Sequence, residues 1–137
     1  MYNSKNLFYN SPSWDAVCAN YFTKSNIFVE KFYGDVLYIG MGNAYGPRKQ
    51  SKKVTSTTIV EKYSEIIEQY NVPNENWKII NDCAFDVDLK NNTYDIIFID
   101  IWAGHIIKKE LNILNKKYKE HLKNKGKILI SKILKIK

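Results

Sequence analysis

Short apolar runs alternate with amphipathic stripes from residue 35 onward. Five runs are continuously apolar or β-branched over most of their length, at 36–39, 57–60, 77–80, 95–99 and 127–130. Between them, apolar residues recur three and four positions apart at 63–70 and at 107–122, which predicts two helices. We expect Asn71 and Pro73 to end the first helix, and Gly126 to end the second. Strands that alternate with helices predict right-handed crossovers and a parallel sheet covered on both faces.

The first 34 residues precede this alternation and are predicted to form an N-terminal helical extension. Ser11 followed by Pro12 is typical of a helix start. Apolar residues then follow at helical spacing, namely Trp14, Val17, Cys18, Tyr21 and Phe22. Packing on a core explains this stripe better than a lid over a ligand. We therefore expect one domain over 1–137, with 1–34 as its extension.

Length and composition favour one globular domain. The chain has 137 residues, of which 45% are hydrophobic and 14% aromatic. No apolar run approaches the roughly 20 residues of a membrane-spanning helix. The N-terminus lacks the apolar core of a secretory signal. Cys18 and Cys83 show no metal-binding or redox spacing, so we predict reduced thiols, no metal site and a cytoplasmic location.

The net charge of +7 is unevenly distributed. Residues 104–137 carry eleven lysines and two glutamates, a local charge of +9, which leaves −2 on the other 103 residues. A basic half of this kind could bind nucleic acid. A solvated helix face followed by a lysine-guarded strand fits better, because the lysines alternate with Ile and Leu and no aromatic residues are interleaved.

The ends of the first two strands carry candidate ligand groups. Parallel α/β sheets bind their ligands outside the carboxyl ends of the strands. The first strand ends in a glycine turn, where Gly40 allows a sharp exit and Gly42 removes a side chain that would block a ligand. The second ends at Glu61, twenty-one residues after Gly40, where a carboxylate can accept hydrogen bonds from two ribose hydroxyls. A helix-start acid, favoured by the helix dipole, is the alternative for Glu61.

The next two strands also end in acids. Asp82 could accept a hydrogen bond from an exocyclic amine such as that of adenine, and the small Cys83 would let a ring approach the backbone. A turn-forming Asn81–Asp82 pair is the plain alternative. Asp100 would face the reacting end of a ligand, and His105 could act as a base or orient a substrate. For His105 we give more weight to a plain role in the first turn of the next helix.

The ordered set of segments resembles the class I S-adenosylmethionine-dependent methyltransferase superfamily, and within it the spermidine-synthase-like branch. The resemblance rests on "DVLYIGMGNAYG" (35–46), "TTIVE" (57–61), "WKIINDCAFDV" (77–87), "YDIIFID" (94–100) and "HLKNKGKILIS" (121–131), about three-quarters of the chain. It implies a Rossmann-like sheet in the order 3-2-1-4-5 and an S-adenosylmethionine-dependent transferase.

The resemblance also implies roles for individual residues. Gly40 and Gly42 would approach the methionine part and ribose of the ligand, and Glu61 would bind the ribose hydroxyls. Asp82 and the backbone of Cys83 would read the adenine, and Asp100 would lie near the amino group and sulfonium. The implied cofactor contacts are Gly40, Met41, Gly42, Asn43, Glu61, Lys62, Asp82, Cys83 and Asp100. Asp100 and His105 are the implied catalytic pair.

The sequence departs from the family pattern at several positions. Tyr38 stands where an acid is usual, and Ala44 replaces a common third glycine. Pro47 is expected to shorten the first helix. After Asp100 the chain reads Ile-Trp-Ala, without the second Asp and Pro of an aminopropyltransferase and without the Pro-Pro-aromatic run of DNA-base amino-methyltransferases. Both of these chemistries therefore lose weight.

The segment after the fifth strand is a further departure, because the chain ends at Lys137 without the family's usual C-terminal hairpin. We expect the fifth strand to be an exposed edge, guarded by lysines or covered by the same strand of a second copy. Several functions stay open. A compact methyltransferase comes first, other chemistry on S-adenosylmethionine second and a nucleic-acid-binding module third, with a nicotinamide dinucleotide enzyme as a weaker fourth.

Overall fold

A five-stranded parallel sheet forms the centre of the molecule. The computed structural model describes residues 29–42, 44–71, 75–101, 105–106, 108–130 and 135–136. The strands are β1 (Gly34–Ile39), β2 (Val54–Val60), β3 (Trp77–Ile80), β4 (Tyr94–Ile99) and β6 (Leu122–Ile130). They lie in the order β3-β2-β1-β4-β6, and every neighbouring pair is parallel. Since β6 is the fifth strand of this sheet, the predicted Rossmann-like α/β fold and the order 3-2-1-4-5 are confirmed.

Two further strands of two residues each form a separate parallel pair. They are β5 (His105–Ile106) and β7 (Lys135–Ile136), with His105 opposite Lys135. β5 follows the end of β4, and β7 follows the end of β6. β7 therefore lies beside β5 in a sheet of its own.

Within the described residues, three α-helices and one turn of 3₁₀ helix (Val29–Lys31) accompany the sheet. They are α1 (Tyr45–Lys49), α2 (Ser64–Tyr70) and α3 (Lys108–Lys119). α1 has five residues with Pro47 as its third, in agreement with the short first helix that Pro47 predicts. α2 ends at Tyr70 and is capped by Asn71, whose backbone N–H donates to the carbonyl oxygen of Ile67, as the sequence predicts. Pro73, the other predicted end signal, lies outside the described residues.

Two apolar layers cover the two faces of the sheet. Along β1 the side chains alternate, so that Val36 and Tyr38 enter one layer and Leu37 and Ile39 enter the other. The first layer includes Ile66 of α2 and the aromatic group of Phe32, Tyr38 and Phe98. The second includes Leu111, Leu114 and Tyr118 of α3. Helices therefore lie on both faces, as predicted, and each buries an apolar stripe.

The helix predicted to run to Gly126 is shorter than expected. α3 ends at Lys119, and Leu122 pairs with Tyr94 as the first residue of β6. The register then shifts, and Lys125 adopts a φ of 68°. A Cβ on Gly126 would lie 2.9 Å from the carbonyl oxygen of Lys123 and 3.0 Å from that of Tyr94. Gly126 therefore permits a bulge inside a strand, and does not cap a helix.

The N-terminal extension is described only from Val29. Val29 and Phe32 are fully buried in the first apolar layer, and the Ser51 N–H donates to the Val29 carbonyl oxygen. The last residues of the predicted extension are therefore part of the domain core. The predicted helix with Trp14 and Phe22 lies outside the described residues, so the division at residue 34 stays a prediction.

Within the described ranges, β6 pairs with β4 alone and is an edge of the main sheet. The same part of the chain contains no helix with the length and apolar character needed to cross a membrane.

Candidate functional site

The strand ends are aligned in one row at the carboxyl edge of the sheet. Ile39 of β1 is in register with Val60 of β2 and with Ile99 of β4, and Val60 is in register with Ile80 of β3. The next residue of each strand is Gly40, Glu61, Asn81 or Asp100. Three backbone bonds extend the ladder into this row. The N–H groups of Gly40, Glu61 and Asp100 donate to the carbonyl oxygens of Val60, Ile80 and Ile39, at 2.8, 3.0 and 2.8 Å.

The glycine turn is shaped first by the neighbouring strand. Gly40 has a φ of 98°, and a Cβ on it would lie 2.2 Å from the backbone oxygen of Asp100. Only glycine fits this position, because the end of β4 occupies the space of any side chain. Gly42 also has positive φ, at 55°, and Met41 between them is buried. The chain therefore turns sharply after β1, as predicted. A glycine is required at Gly40 because its backbone packs against the end of β4.

Glu61 is the most buried acid of the row, with 7% of its surface exposed. Its Oε1 accepts from the backbone N–H of Met41, and its Oε2 from that of Tyr63, both at 2.9 Å. Burial raises the pKa of the carboxyl above its ordinary value, while these backbone donors act in the opposite direction. The side chain thus connects the turn after β1 to the turn after β2, and its charge is held in a poorly hydrated position.

Asn81 connects the ends of β2 and β3 and was missed by the sequence reasoning. Its side-chain amide donates to the carbonyl oxygens of Glu61 and Lys62, at 2.9 and 3.0 Å. The sequence prediction placed Asn81 only in a turn-forming pair with Asp82. Its position directly after the apolar run 77–80 was the signal that could have identified it, because that position falls in the row of strand ends.

Asp82 lies one residue beyond the row and is exposed. Its Oδ1 accepts from the backbone N–H of Cys83 at 2.7 Å, which supports the turn-forming alternative. Cys83 is half-buried and its thiol is free. A carboxylate that is exposed and held only by its own turn can still accept a hydrogen bond from a ligand.

Asp100 is half-buried, and its backbone is fixed against both β1 and Gly40. His105 lies in β5, opposite Lys135, and α3 begins only at Lys108. The expected position of His105 in the first turn of the next helix is therefore wrong, because a short strand precedes that helix. Chain connectivity puts β5 within a few residues of Asp100.

Two other predicted cofactor residues have distinct outcomes. Lys62 is exposed, and its Nζ lies 5.7 Å from the centre of the Tyr63 ring. Asn43 lies outside the described residues. Among those described, no group of three or more His, Cys, Asp or Glu residues could hold a metal ion.

Several solved structures are similar to this chain. A complex of DhpI with SAH matches with a TM-score of 0.67 and 17% identity, over 87% of this chain and 57% of that one. The plantazolicin methyltransferase BpumL, in complex with a desmethylPZN analog and SAH, matches with a TM-score of 0.59 and 20% identity, over 87% and 52%. An S-adenosylmethionine-dependent methyltransferase from Clostridium acetobutylicum matches with a TM-score of 0.57 and 14% identity, over 89% and 50%.

The chain has the fold of S-adenosylmethionine-dependent methyltransferases. At identities of 14–20%, this similarity shows a shared fold and does not by itself show a shared function. The chain spans between half and three-fifths of the length of these three structures. No protein-family model matches the sequence, and neither does any curated protein.

Proposed function

We propose that this chain binds S-adenosylmethionine and transfers its methyl group to an acceptor. The observation that carries the proposal is the buried Glu61 carboxylate beside a bare glycine turn, at the carboxyl edge of this fold. A buried acid with raised pKa is costly unless partners stabilise its charge. The backbone N–H groups of Met41, Gly42, Lys62 and Tyr63 already stabilise this carboxylate. We propose that the two ribose hydroxyls of the cofactor donate to the same oxygens, each of which can accept more than one hydrogen bond.

Residues in the row and beside it would contact different parts of the cofactor. Gly40 and Gly42 would leave the backbone open to the ligand, with Met41 between them. Asn43, which lies outside the described residues, is kept as a further proposed contact. Glu61 would hold the ribose, and the neighbouring Lys62 would lie at its rim. Asp82 and Cys83 would contact the adenine. Asp100 would lie at the methionine end, because it adjoins Gly40 on the side of β4.

Methyl transfer from a sulfonium needs little acid–base catalysis by the protein. When bound, S-adenosylmethionine supplies a methyl group on a positively charged sulfur whose leaving group is neutral. The chain's contribution is then to hold donor and acceptor in line, which can supply most of the rate. Asp100 would orient the acceptor or take its proton, and His105 is the second candidate for that role.

Other chemistry on the same cofactor is the second candidate. We keep the spermidine-synthase-like branch as a proposal on the strength of the segments that resemble it. Aminopropyl transfer has less support, because Ile101 follows Asp100 where a second acid would be expected. Cleavage of the cofactor would yield methylthioadenosine or a homoserine lactone, which distinguishes it from methyl transfer.

Calorimetric titration with S-adenosylmethionine, with NAD as the control ligand, tests the proposal. We expect binding of S-adenosylmethionine and none of NAD. Chromatography of the recovered nucleoside then reports intact cofactor, a methyl-transfer product or a cleavage product. Absence of binding to S-adenosylmethionine would overturn the proposed function. Equal binding of both ligands would favour a general dinucleotide site.

We also propose a cytoplasmic location and a homo-oligomer. The free thiol of Cys83 supports the first, since reduced cysteines are usual in that compartment. The edge position of β6 supports the second, because a second copy could pair with it across a two-fold axis. A monomeric mass in sedimentation would contradict the second of these.

A further inference from the structure

The loop between β3 and β4 is fastened to helix α3 by side chains. The Lys117 ammonium donates to the carbonyl oxygens of Phe85 and Val87, at 2.9 and 2.7 Å. The Tyr118 hydroxyl donates to the carbonyl oxygen of Ala84. Two consecutive residues of α3 therefore bind three of the four carbonyl groups from 84 to 87. Loop backbone without strand partners needs such donors when it is partly buried.

The two anchors, Lys117 and Tyr118, contact each other, and Tyr118 packs in the protein interior. Tyr118 is fully buried, and its ring packs in the same apolar layer as Val87 and Leu89 of the loop. Burial raises the pKa of the Tyr118 phenol, with the charges of Cys83 and Asp82 acting in the same direction, so the group stays a hydrogen-bond donor. The Lys117 ammonium lies 5.8 Å from the centre of the Tyr118 ring. The anchors thus form one unit.

The anchored segment, residues 83–87, begins at the proposed adenine contact. The N–H groups of Asp86 and Val87 donate to the carbonyl oxygen of Cys83, at 3.1 and 3.0 Å. This turn joins the anchored carbonyls to Cys83 and Asp82. Within residues 83–87, four carbonyl groups and three N–H groups are hydrogen-bonded, while the Asp82 side chain stays exposed.

We propose that Lys117 and Tyr118 are positioning residues for recognition of the adenine base. This inference rests on the proposed function. Neither residue would touch the ligand. They hold the loop so that Asp82 and the backbone of Cys83 are presented at the end of β3, where Asp82 accepts a hydrogen bond from the exocyclic amine. A loop released from α3 would lose that alignment, and the preference for adenine over hypoxanthine would fall with it.

The test compares two anchor variants with two matched controls. Lys117→Met removes the ammonium and keeps the chain length, and Tyr118→Phe removes only the hydroxyl. Lys116→Met removes an exposed charge from the neighbouring position of α3. Tyr94→Phe removes a buried hydroxyl, bonded to Thr58, at the opposite edge of the sheet. The ligands are S-adenosylhomocysteine and its deaminated inosyl analogue, titrated by calorimetry.

We expect each anchor variant to raise the Kd for S-adenosylhomocysteine roughly threefold to tenfold, the effect of one lost hydrogen bond. The Kd for the inosyl analogue should change less, because hypoxanthine lacks the amine. The Kd for the inosyl analogue divided by the Kd for S-adenosylhomocysteine should therefore fall in the anchor variants and stay at the wild-type value in both controls. Hydrogen exchange at Asp86 and Val87 should accelerate in the anchor variants alone.

Three results would count against the inference. A wild-type chain that does not bind S-adenosylhomocysteine overturns the proposed function and this inference together. Wild-type binding with an unchanged ratio in Lys117→Met and Tyr118→Phe overturns the inference alone. A ratio that falls equally in Tyr94→Phe would assign the effect to general loss of stability, and would also overturn it.

Discussion

Gly40 and Glu61 carry different weight as evidence for a ligand. The end of β4 excludes a side chain at Gly40, since the Asp100 backbone oxygen lies 2.2 Å from the position of a Cβ. The glycine is required by the sheet whether or not anything binds. Glu61 is also used by the fold, because its carboxylate accepts backbone N–H groups from the turns after β1 and β2. It is nevertheless the better candidate for ligand contact, because a carboxylate can also accept hydrogen bonds from ribose hydroxyls.

The charge of Glu61 should make cofactor binding dependent on pH. In the proposed complex the ribose hydroxyls would donate to the ionised carboxylate, and burial raises the pKa of this group above its ordinary value of 4.5. We therefore expect the affinity for S-adenosylmethionine to weaken as pH falls, beginning above pH 4.5. Calorimetry from about pH 4.5 to pH 8 measures this dependence.

Glu61→Gln should weaken binding about tenfold or more, since hydrogen bonds to charged groups contribute about 1.5–3 kcal/mol. It should also remove the pH dependence attributable to Glu61. Glu65→Gln is the matched control, because Glu65 is an exposed acid on α2, three residues after Lys62 in the turn that follows β2. A glutamine variant that binds as tightly as the wild type at neutral pH would contradict the ribose-binding role.

At the scale of elements, a polar cluster with an ionic centre joins four strands near their amino ends, at the edge opposite the candidate site. The Lys123 ammonium of β6 lies 2.5 Å from Oδ2 of Asp35 in β1 and 3.3 Å from Oδ2 of Asp95 in β4. Asp35 Oδ1 also accepts from Ser56 at 2.6 Å and Thr55 at 3.1 Å, both in β2. The cluster thus connects β2, β1, β4 and β6 across the sheet.

This cluster should stabilise the fold most clearly above pH 4. The hydrogen bonds from Lys123 and Ser56 lower the pKa of Asp35 below its ordinary value of 3.8. A lowered pKa in the folded state stabilises the fold above the unfolded value, and the benefit is lost as pH falls through the folded value. The difference in unfolding free energy between wild type and Asp35→Asn should therefore be present at pH 7 and shrink below about pH 4.

Urea denaturation at pH 7 and at pH 3 measures that difference. Asp88→Asn serves as the control, because Asp88 is exposed and its ion pair with Lys90 spans 3.8 Å between two exposed side chains. A difference for Asp35→Asn that persists unchanged at pH 3 would assign its effect to packing or hydrogen bonding, and not to the ionised carboxylate.

The sequence predicts correctly those elements in which the local spacing of apolar residues agrees with the tertiary contacts. The run 77–80 is β3 without change, and Glu61 and Asp100 follow their strands as expected. The pattern failed where a distant partner decides the structure. Leu122 continues the helical spacing of Leu114 and Tyr118, but pairing with Tyr94 places it in a strand. The roles of Asn81 and Lys117 depend on carbonyl groups of other segments, which no local spacing reveals.

For the whole molecule, the basic character of the C-terminal half is mostly a surface property. The described segment 108–130 has eight lysines and two glutamates. Lys117 and Lys123 are used inside the fold, by the loop after β3 and by the polar cluster. The other six are exposed, namely Lys108, Lys109, Lys116, Lys119, Lys125 and Lys127. Such a surface attracts polyanions without reading their sequence.

Salt concentration should therefore affect the predicted binding of nucleic acid and the proposed binding of S-adenosylmethionine differently. We expect affinity for single-stranded RNA to be weak and to fall steeply between about 50 and 200 mM salt, since each neutralised phosphate releases counterions. Affinity for S-adenosylmethionine should change little over the same range, because Glu61 is buried and screening acts weakly on buried charges. Fluorescence anisotropy with a labelled oligonucleotide and calorimetry with the cofactor measure the two.

A double variant, Lys108→Glu with Lys109→Glu, tests whether the two properties are independent. Both residues are exposed at the start of α3, and glutamates there suit the helix dipole better than lysines do. The variant should lose RNA binding and keep cofactor binding within about twofold, a change of roughly 0.4 kcal/mol. RNA binding that resists salt and strengthens when the cofactor is bound would contradict this separation. It would instead favour nucleic acid as the acceptor, because thermodynamic coupling of the two ligands requires that their sites communicate.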